Sequence, residues 1–333
     1  MKGWIHKKET ERLDLLRLVS GKANLPDFMI EKDWWVTMAL ESVFTCDLHK
    51  SFAFKGGTSL SKSWNLLHRF SEDIDIVIDK SLFGVKDDQE LGRSQREKLR
   101  DAAHAFVMKT VQPTLHARML AMGVPESTFK IYAEESKSSD QDPTIILLDY
   151  ASLTEIKNDC TKAQVKIEIG VRAMMEPYES RPVSSLLSQH LNIKEAVGVS
   201  TVLPERTFWE KAFLLHELFQ RPVDKMDIAR MSRHWYDLHY LAKAGFAERA
   251  MQDKGLYETI RNHRKIFTKV PGVDYETLST KTLGLFPPKE KEAEWNGDYK
   301  KMVESYIYRD VPTLERLSDS IKMISTEFGK LEY

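Results

Sequence analysis

The sequence predicts an α+β fold in three parts: an N-terminal helical segment over 1–48, a mixed core over 49–200 and a helical C-terminal domain over 201–333. Three observations predict it. A chain of 333 residues exceeds one typical domain. Short β-like runs (FAFKG, DIDIVID, FKIYAEE, TIILLDY and VKIEIGVRA) crowd the stretch from about 50 to 175. Before and after them the apolar residues recur at helical spacing instead.

In chain order, MIEKDWWVTMALESVF is amphipathic at helical spacing and predicts a helix before residue 48. Phe52 to Lys55 reads as a strand. A helix is expected over 59–69, with Leu60, Trp64 and Leu67 at i, i+4 and i+7 on one face. A strand follows from Glu72 to Ile78, then a longer helix over about 91–121, then three more strands. The Pro-containing YESRPVSS marks a boundary near 180–200. Beyond 203 the pattern is helical, interrupted by a loop at GLFPPKEKEAEWNGD. The tryptophans Trp34, Trp35, Trp64, Trp209 and Trp235 at helical spacings read as core rather than as base-stacking platforms.

Composition excludes several classes. The two cysteines, Cys46 and Cys160, lie far apart and outside any CxxC spacing, which excludes a cysteine-based zinc site or disulfide framework and fits a reducing cytoplasm. The N-terminus lacks the apolar run of a signal peptide, and no stretch approaches a membrane span. A net charge of −1 argues against polyanion binding by overall charge. Two basic clusters stand out locally: Arg93, Arg96, Lys98 and Arg100, and Arg261, His263, Arg264, Lys265 and Lys269. Either could neutralise phosphates, and each reads equally as a solvated helix face.

The chemistry concentrates in residues 52–79, FAFKGGTSLSKSWNLLHRFSEDIDIVID. Gly56 and Gly57 allow a tight turn and close approach of a ligand to bare backbone. Thr58 or Ser59 can cap the helix behind them, so free N–H groups and the helix dipole would face an arriving phosphate. The spacing is not that of a Walker A loop. Asp73 and Asp75 alternate onto one face of the next strand, roughly 6–7 Å apart. Two like charges so placed need a cation or water between them, and Mg²⁺ suits two carboxylates completed by substrate phosphates. A second ion calls for a third carboxylate, and Glu168, a lone acid between Ile167 and Ile169, is the candidate. Taken singly, D-x-D is more often the wet face of an edge strand and Gly-Gly more often a plain turn. The order of the parts carries the reading. Downstream, Glu210 and Lys211 lie on one amphipathic helix. Arg230, Arg233 and Asp237 fall at i, i+3 and i+7 of the next, which reads as an ion-pair network or a phosphate-gripping face.

Phe54-Lys55-Gly56-Gly57-Thr58-Ser59-Leu60-Ser61-Lys62 followed by Arg69-Phe70-Ser71-Glu72-Asp73-Ile74-Asp75 resembles the AbiEii/AbiGii toxin family of nucleotidyltransferases, which includes the MenT toxins. The resemblance takes in Ile30 to Trp35, Arg206 to Lys211, His234 to Leu238, and Asp298-Tyr299 with Met302, so it spans most of the chain. It implies a polymerase-β-like nucleotidyltransferase core with a helical C-terminal domain. It further implies a phosphate-holding turn at Gly57, Thr58 and Ser59, paired Mg²⁺-binding acids at Asp73 and Asp75, and a third acid at Glu168. Lys211 and Asp237 match a lysine and an aspartate of the family's other motifs. Thr58 stands where many relatives carry serine, which leaves open which hydroxyl meets the phosphate.

The expectation is a Mg²⁺-dependent enzyme with a two-metal site at Asp73, Asp75 and Glu168 and an NTP as co-substrate. Gly56, Gly57, Thr58, Ser59, Lys62, Lys211 and Asp237 would bind the nucleotide, with Lys211 also catalytic. As the resemblance implies, the acceptor is the 3′ end of tRNA, the result is a translation block, and the partners include a cognate antitoxin in a cytoplasmic phage-defence module. A small-molecule or protein acceptor is the alternative. A non-catalytic NTP-binding module is a third reading, which the intact Asp73/Asp75 pair opposes.

Overall fold

The computed structural model describes residues 3–71, 73–135, 138, 140–155, 162–268, 270–276, 278–305 and 307–333. Glu72, Cys160 and Lys269, used in the sequence reading, lie outside the described residues. The chain divides into two compact units, Met1–Trp64 with Phe70–Val202, and Asn65–Arg69 with Leu203–Tyr333.

The first unit is built on helices α1 (Glu9–Ala23) and α2 (Asp27–Phe44), then β1 (Phe52–Lys55), α3 (Gly56–Lys62) and β2 (Ile74–Ile78). Next come α4 (Arg93–Phe106), α5 (Gln112–Ala121), β3 (Phe129–Ala133), β4 (Thr144–Tyr150), β5 (Gln164–Gly170), β6 (Tyr178–Val183), α6 (Leu186–His190) and β7 (Val197–Val202). A π-type turn at Val107–Val111 joins α4 to α5. It lies just ahead of Pro113, which has no N–H to continue the regular ladder. The seven strands form one mixed sheet in the order β3-β4-β5-β2-β1-β7-β6, so β2 runs through its centre. It pairs antiparallel with β1 and parallel with β5. The α+β class expected from the sequence is the class observed.

Helix α2 is apolar on most of its circumference and is buried accordingly, with Trp34 and Trp35 at 0% and 1% exposure. Trp35 stacks on Tyr150 with ring centroids 5.0 Å apart. Its charged residues are structural ties. Glu31 accepts hydrogen bonds from Ser152 Oγ, the Leu153 amide and Thr154 Oγ1, fixing the loop after β4. Lys32 donates to the Lys162 carbonyl ahead of β5. Asp33 holds the Lys62 ammonium at 2.5 Å and accepts from the Leu186 amide at the start of α6. Each acid or base therefore satisfies a group that burial would otherwise leave unpaired.

The second unit contains α7 (Pro204–Phe219), α8 (Arg233–Lys243), α9 (Phe246–Gln252), α10 (Lys254–Phe267), α11 (Glu292–Ser305) and α12 (Leu314–Lys330). Trp209 packs between Tyr257 and Phe328, with centroids 4.9 and 5.0 Å away. Trp235 packs on Trp295 at 5.0 Å. Trp34, Trp35, Trp209 and Trp235 are buried, as their spacing suggested, whereas Trp64 lies past the end of α3 and is only half-buried. Among the described residues no helix is long and apolar enough to cross a membrane.

Four local expectations are corrected. The helix expected over 59–69 spans Gly56–Lys62 only: the Ser63 and Trp64 amides both bond the Ser59 carbonyl, and Asn65 turns the chain at φ 51°. Leu67, whose spacing extended the helical pattern, is buried in the second unit instead. The YESRPVSS segment forms β6, paired in register with β7 from Tyr178↔Val202 to Val183↔Val197; as an edge strand it tolerates Pro182 and polar residues. Within the expected loop at GLFPPKEKEAEWNGD, helix α11 begins at Glu292, driven by Trp295 at 1% exposure. Finally, α8 begins at Arg233, so Arg230 is not on its face. Arg230 adopts φ 62°, and the Asp298 carboxylate accepts the amides of Arg230 and Ser232 and the Ser232 hydroxyl.

Candidate active site

The polar residues of the central strands share one face. In β5 the apolar Val165, Ile167 and Ile169 are buried, while Gln164, Lys166 and Glu168 alternate to the opposite, partly exposed face. Asp75 is the register partner of Glu168 across the parallel β2/β5 pair and of Lys55 across the antiparallel β1/β2 pair. Register partners project to the same side, so Lys55, Asp75 and Glu168 form a row across three adjacent strands about 4.8 Å apart. Asp73 lies just before β2, which begins at Ile74 rather than Glu72.

Gly56 explains why a glycine must precede α3. It adopts φ +80°, and a Cβ there would collide with the Asp75 carboxylate. The absent side chain is thus the space that the Asp75 carboxylate fills. The two hydroxyls that follow are turned inward. Thr58 Oγ1 donates to the Asp73 carbonyl at 2.5 Å and lies 2.7 Å from Ser71 Oγ; Ser59 Oγ donates to the Gly56 carbonyl at 2.9 Å. Both residues are at most 1% exposed. Their hydroxyls shape the turn, that of Thr58 engages Ser71 and Asp73, and neither is presented outward. Lys62 is likewise engaged, by Asp33.

Glu168 is not a lone acid. Lys166, two residues earlier on the same face, places its Nζ 2.5 Å from Glu168 Oε1. Burial works against the Lys166 charge. The hydrogen bond and charge of Glu168, with the Asp73 and Glu134 charges, outweigh it and raise the Lys166 pKa above the ordinary lysine value. Among the described residues no group of three or more His, Cys, Asp or Glu is arranged to hold a metal ion. The donors nonetheless fit a hard cation. They are carboxylate oxygens in adjacent register, one of them seated over the Gly56 backbone, and Mg²⁺ needs only one or two protein carboxylates when phosphates supply the rest.

Lys211 and Asp237 meet in the second unit, together with a residue the sequence reading left out of the site. Arg69 grips Asp237 bidentately, Nε to Oδ1 at 2.8 Å and Nη2 to Oδ2 at 2.9 Å, and Lys211 Nζ lies 2.6 Å from Oδ2. Asp237 is fully buried and its partners are 6% exposed. Burial alone would push the Asp237 carboxyl up; the Arg69 and Lys211 charges reverse this and hold it well below the usual carboxylate range. Burial pulls the Lys211 pKa down, with Asp237 opposing and Arg69 and Arg233 adding to the depression. His234 beside them is pushed far below its ordinary value by burial and by the Lys211 and Arg233 charges, so it is neutral near pH 7. Arg69 stood in the motif only four residues before Asp73; its pairing with a residue 168 positions away had no local signal.

The two basic clusters are not bare. Arg93 pairs with Glu97, Arg96 donates to the Leu91 carbonyl and Arg100 pairs with Asp140. Arg264 is held by Glu217, Lys265 by Glu276, and Arg261 donates to the Leu278 carbonyl. The first cluster is a solvated, ion-paired helix face, whereas in the second His263 is buried and Arg264 forms a largely buried pair with Glu217.

MenT4, a nucleotidyltransferase toxin from Mycobacterium tuberculosis H37Rv, superposes with a TM-score of 0.49 at 16% identity, over 100% of this chain and 90% of that one. JHP933 from Helicobacter pylori superposes with a TM-score of 0.45 at 14% identity, over 92% of this chain and 94% of that one. No curated protein sequence matches the chain. The family model described as nucleotidyl transferase AbiEii toxin, type IV TA system, matches residues 39–320. With most of its length so matched, the chain belongs to the AbiEii family of nucleotidyltransferase toxins of type IV toxin–antitoxin systems.

Proposed function

We propose that this chain transfers a nucleoside monophosphate from an NTP to the 3′ end of tRNA, using Mg²⁺ held by Asp73, Asp75 and Glu168. The observation that carries the reading is the in-register Asp75/Glu168 pair beside the side-chain-free Gly56. When bound, the metal would neutralise phosphate charge and favour the attacking hydroxyl and the departing pyrophosphate. Asp73 and Asp75 would orient the α-phosphate, and Glu168 would accept the proton of the attacking hydroxyl or share in metal binding. The bare backbone of Gly56 and Gly57 would let the triphosphate approach closely, while Thr58 and Ser59 keep the turn in shape.

Lys211 and Asp237, which the resemblance gives to the nucleotide, would keep the second unit's buried cluster with Arg69 in place. Lys62, bound to Asp33, would act by positioning α3 rather than by touching phosphate. Modified tRNA could no longer be aminoacylated, which would stop translation in the cytoplasm, restrained by a cognate antitoxin and released in phage defence.

The test is incubation of the purified chain with Mg²⁺, each labelled NTP in turn, and total tRNA. Label in tRNA with one NTP, absent for a folded Asp75→Asn variant, is the expected result. Label that persists in Asp75→Asn would sink the metal assignment. Label found only on protein or on a small hydroxyl compound would replace the acceptor and leave the transfer chemistry standing.

A further inference from the structure

We propose that Lys166 is a built-in counter-cation of the carboxylate row, and that a divalent metal reaches Glu168 only by displacing the Lys166 ammonium. The proposal rests on the metal reading of Asp73 and Asp75. Lys166 Nζ lies 2.5 Å from Glu168 Oε1, with the two side chains 37% and 25% exposed. Both residues occupy the polar face of β5, and Glu168 is the register partner of Asp75.

Two carboxylates on neighbouring strands repel each other unless a cation sits by them. A lysine two residues away on the same strand supplies that cation from within the chain. Its flexible stem and partial exposure let it swing out, which a rigid guanidinium fork would do less readily. While it is in place, Glu168 is committed to a monovalent partner. A divalent ion on its own must pay for this displacement; one arriving with triphosphate oxygens brings further ligands and an anion for the released ammonium. Lys166 is therefore a positioning residue that couples metal binding to nucleotide binding.

Mn²⁺ binding to the full chain, followed by the electron paramagnetic resonance signal of free Mn²⁺, tests this without reference to activity. An exposed ion pair is worth up to about 1 kcal/mol, so Lys166→Met should tighten Mn²⁺ binding several-fold, approaching roughly ten-fold once repulsion between the two cations is removed. Lys166→Gln should act in the same direction, and Lys166→Arg, whose guanidinium leaves Glu168 less readily, should bind Mn²⁺ no more tightly than wild type. Asp75→Asn should weaken Mn²⁺ binding in every background. If Lys166→Met and Lys166→Gln bind Mn²⁺ no more tightly than wild type while Asp75→Asn weakens it, the displacement idea is overturned and the metal site stands. If Asp75→Asn binds Mn²⁺ as wild type does, the metal site itself falls and the inference falls with it.

Discussion

Replacing Asp237 with Asn removes one charge from a site where it is surrounded by two. Asp237 is fully buried, and its oxygens receive Arg69 at 2.8 and 2.9 Å and Lys211 at 2.6 Å. The amide keeps the shape of the carboxylate, yet it removes the charge that Arg69 and Lys211 share and points an NH2 group at donors. Breaking a buried pair by removing one partner costs about 3–5 kcal/mol. That predicts a fall in the melting temperature of roughly 10 °C, read by far-UV circular dichroism at pH 7. The pH dependence follows from the direction of the shift. The folded Asp237 pKa is depressed below the unfolded value of about 3.9, so its contribution is fully present above that pH and is lost as pH falls through the folded value. The gap between wild type and Asp237→Asn should be constant from pH 8 to about pH 5 and begin to narrow below about pH 4. A second arm separates charge burial from packing. Combining Arg69→Met, Asp237→Leu and Lys211→Met should recover most of the stability, because an apolar replacement of a buried ionic cluster is often neutral or better. It should not recover nucleotide transfer. A loss below about 1 kcal/mol for Asp237→Asn at pH 7 would refute the claim that this cluster is held together by its buried carboxylate.

Gly56→Ala adds a Cβ where the Asp75 carboxylate lies and forces an L side chain into φ +80°. The backbone strain costs about 1–2 kcal/mol in urea unfolding, and Mn²⁺ binding should fall with it because Asp75 must move. Thr58→Val preserves volume while removing the hydroxyl that donates to the Asp73 carbonyl. Stability should drop by about 1 kcal/mol and transfer should slow through a lower kcat, with unchanged rates showing that the Asp73 segment needs no such anchor.

The part of the site legible in the sequence is the part that is local. Gly56 opens α3, and Asp75, 19 positions on, sits in β2 between the buried Ile74 and Ile76, while Asp73 lies just before that strand. The neighbouring Ile-Glu-Ile run of β5 likewise carried its own alternation, so Glu168 could be placed on a polar face without knowing its neighbour. Lys166 was equally visible at i−2, but the repulsion that gives it a role arises only once β5 lies beside β2. The period-based extension of α3 to residue 69 failed for a related reason. Leu67 is apolar because it is buried in the second unit, and periodicity carries no record of which core a residue joins.

The sequence by itself determined the class of fold, the glycine turn and the strand alternation of Asp75 and Glu168, because each follows from local backbone geometry. Only the tertiary structure decided which groups are free and which are spent. Lys62 is held by Asp33, Thr58 by the Asp73 carbonyl, Glu168 by Lys166, and Asp237 is shared by Arg69 and Lys211. Charge pairing depends on distances of a few ångströms between residues tens to hundreds of positions apart. Those distances are set by strand register and helix packing, which no single stretch of sequence contains.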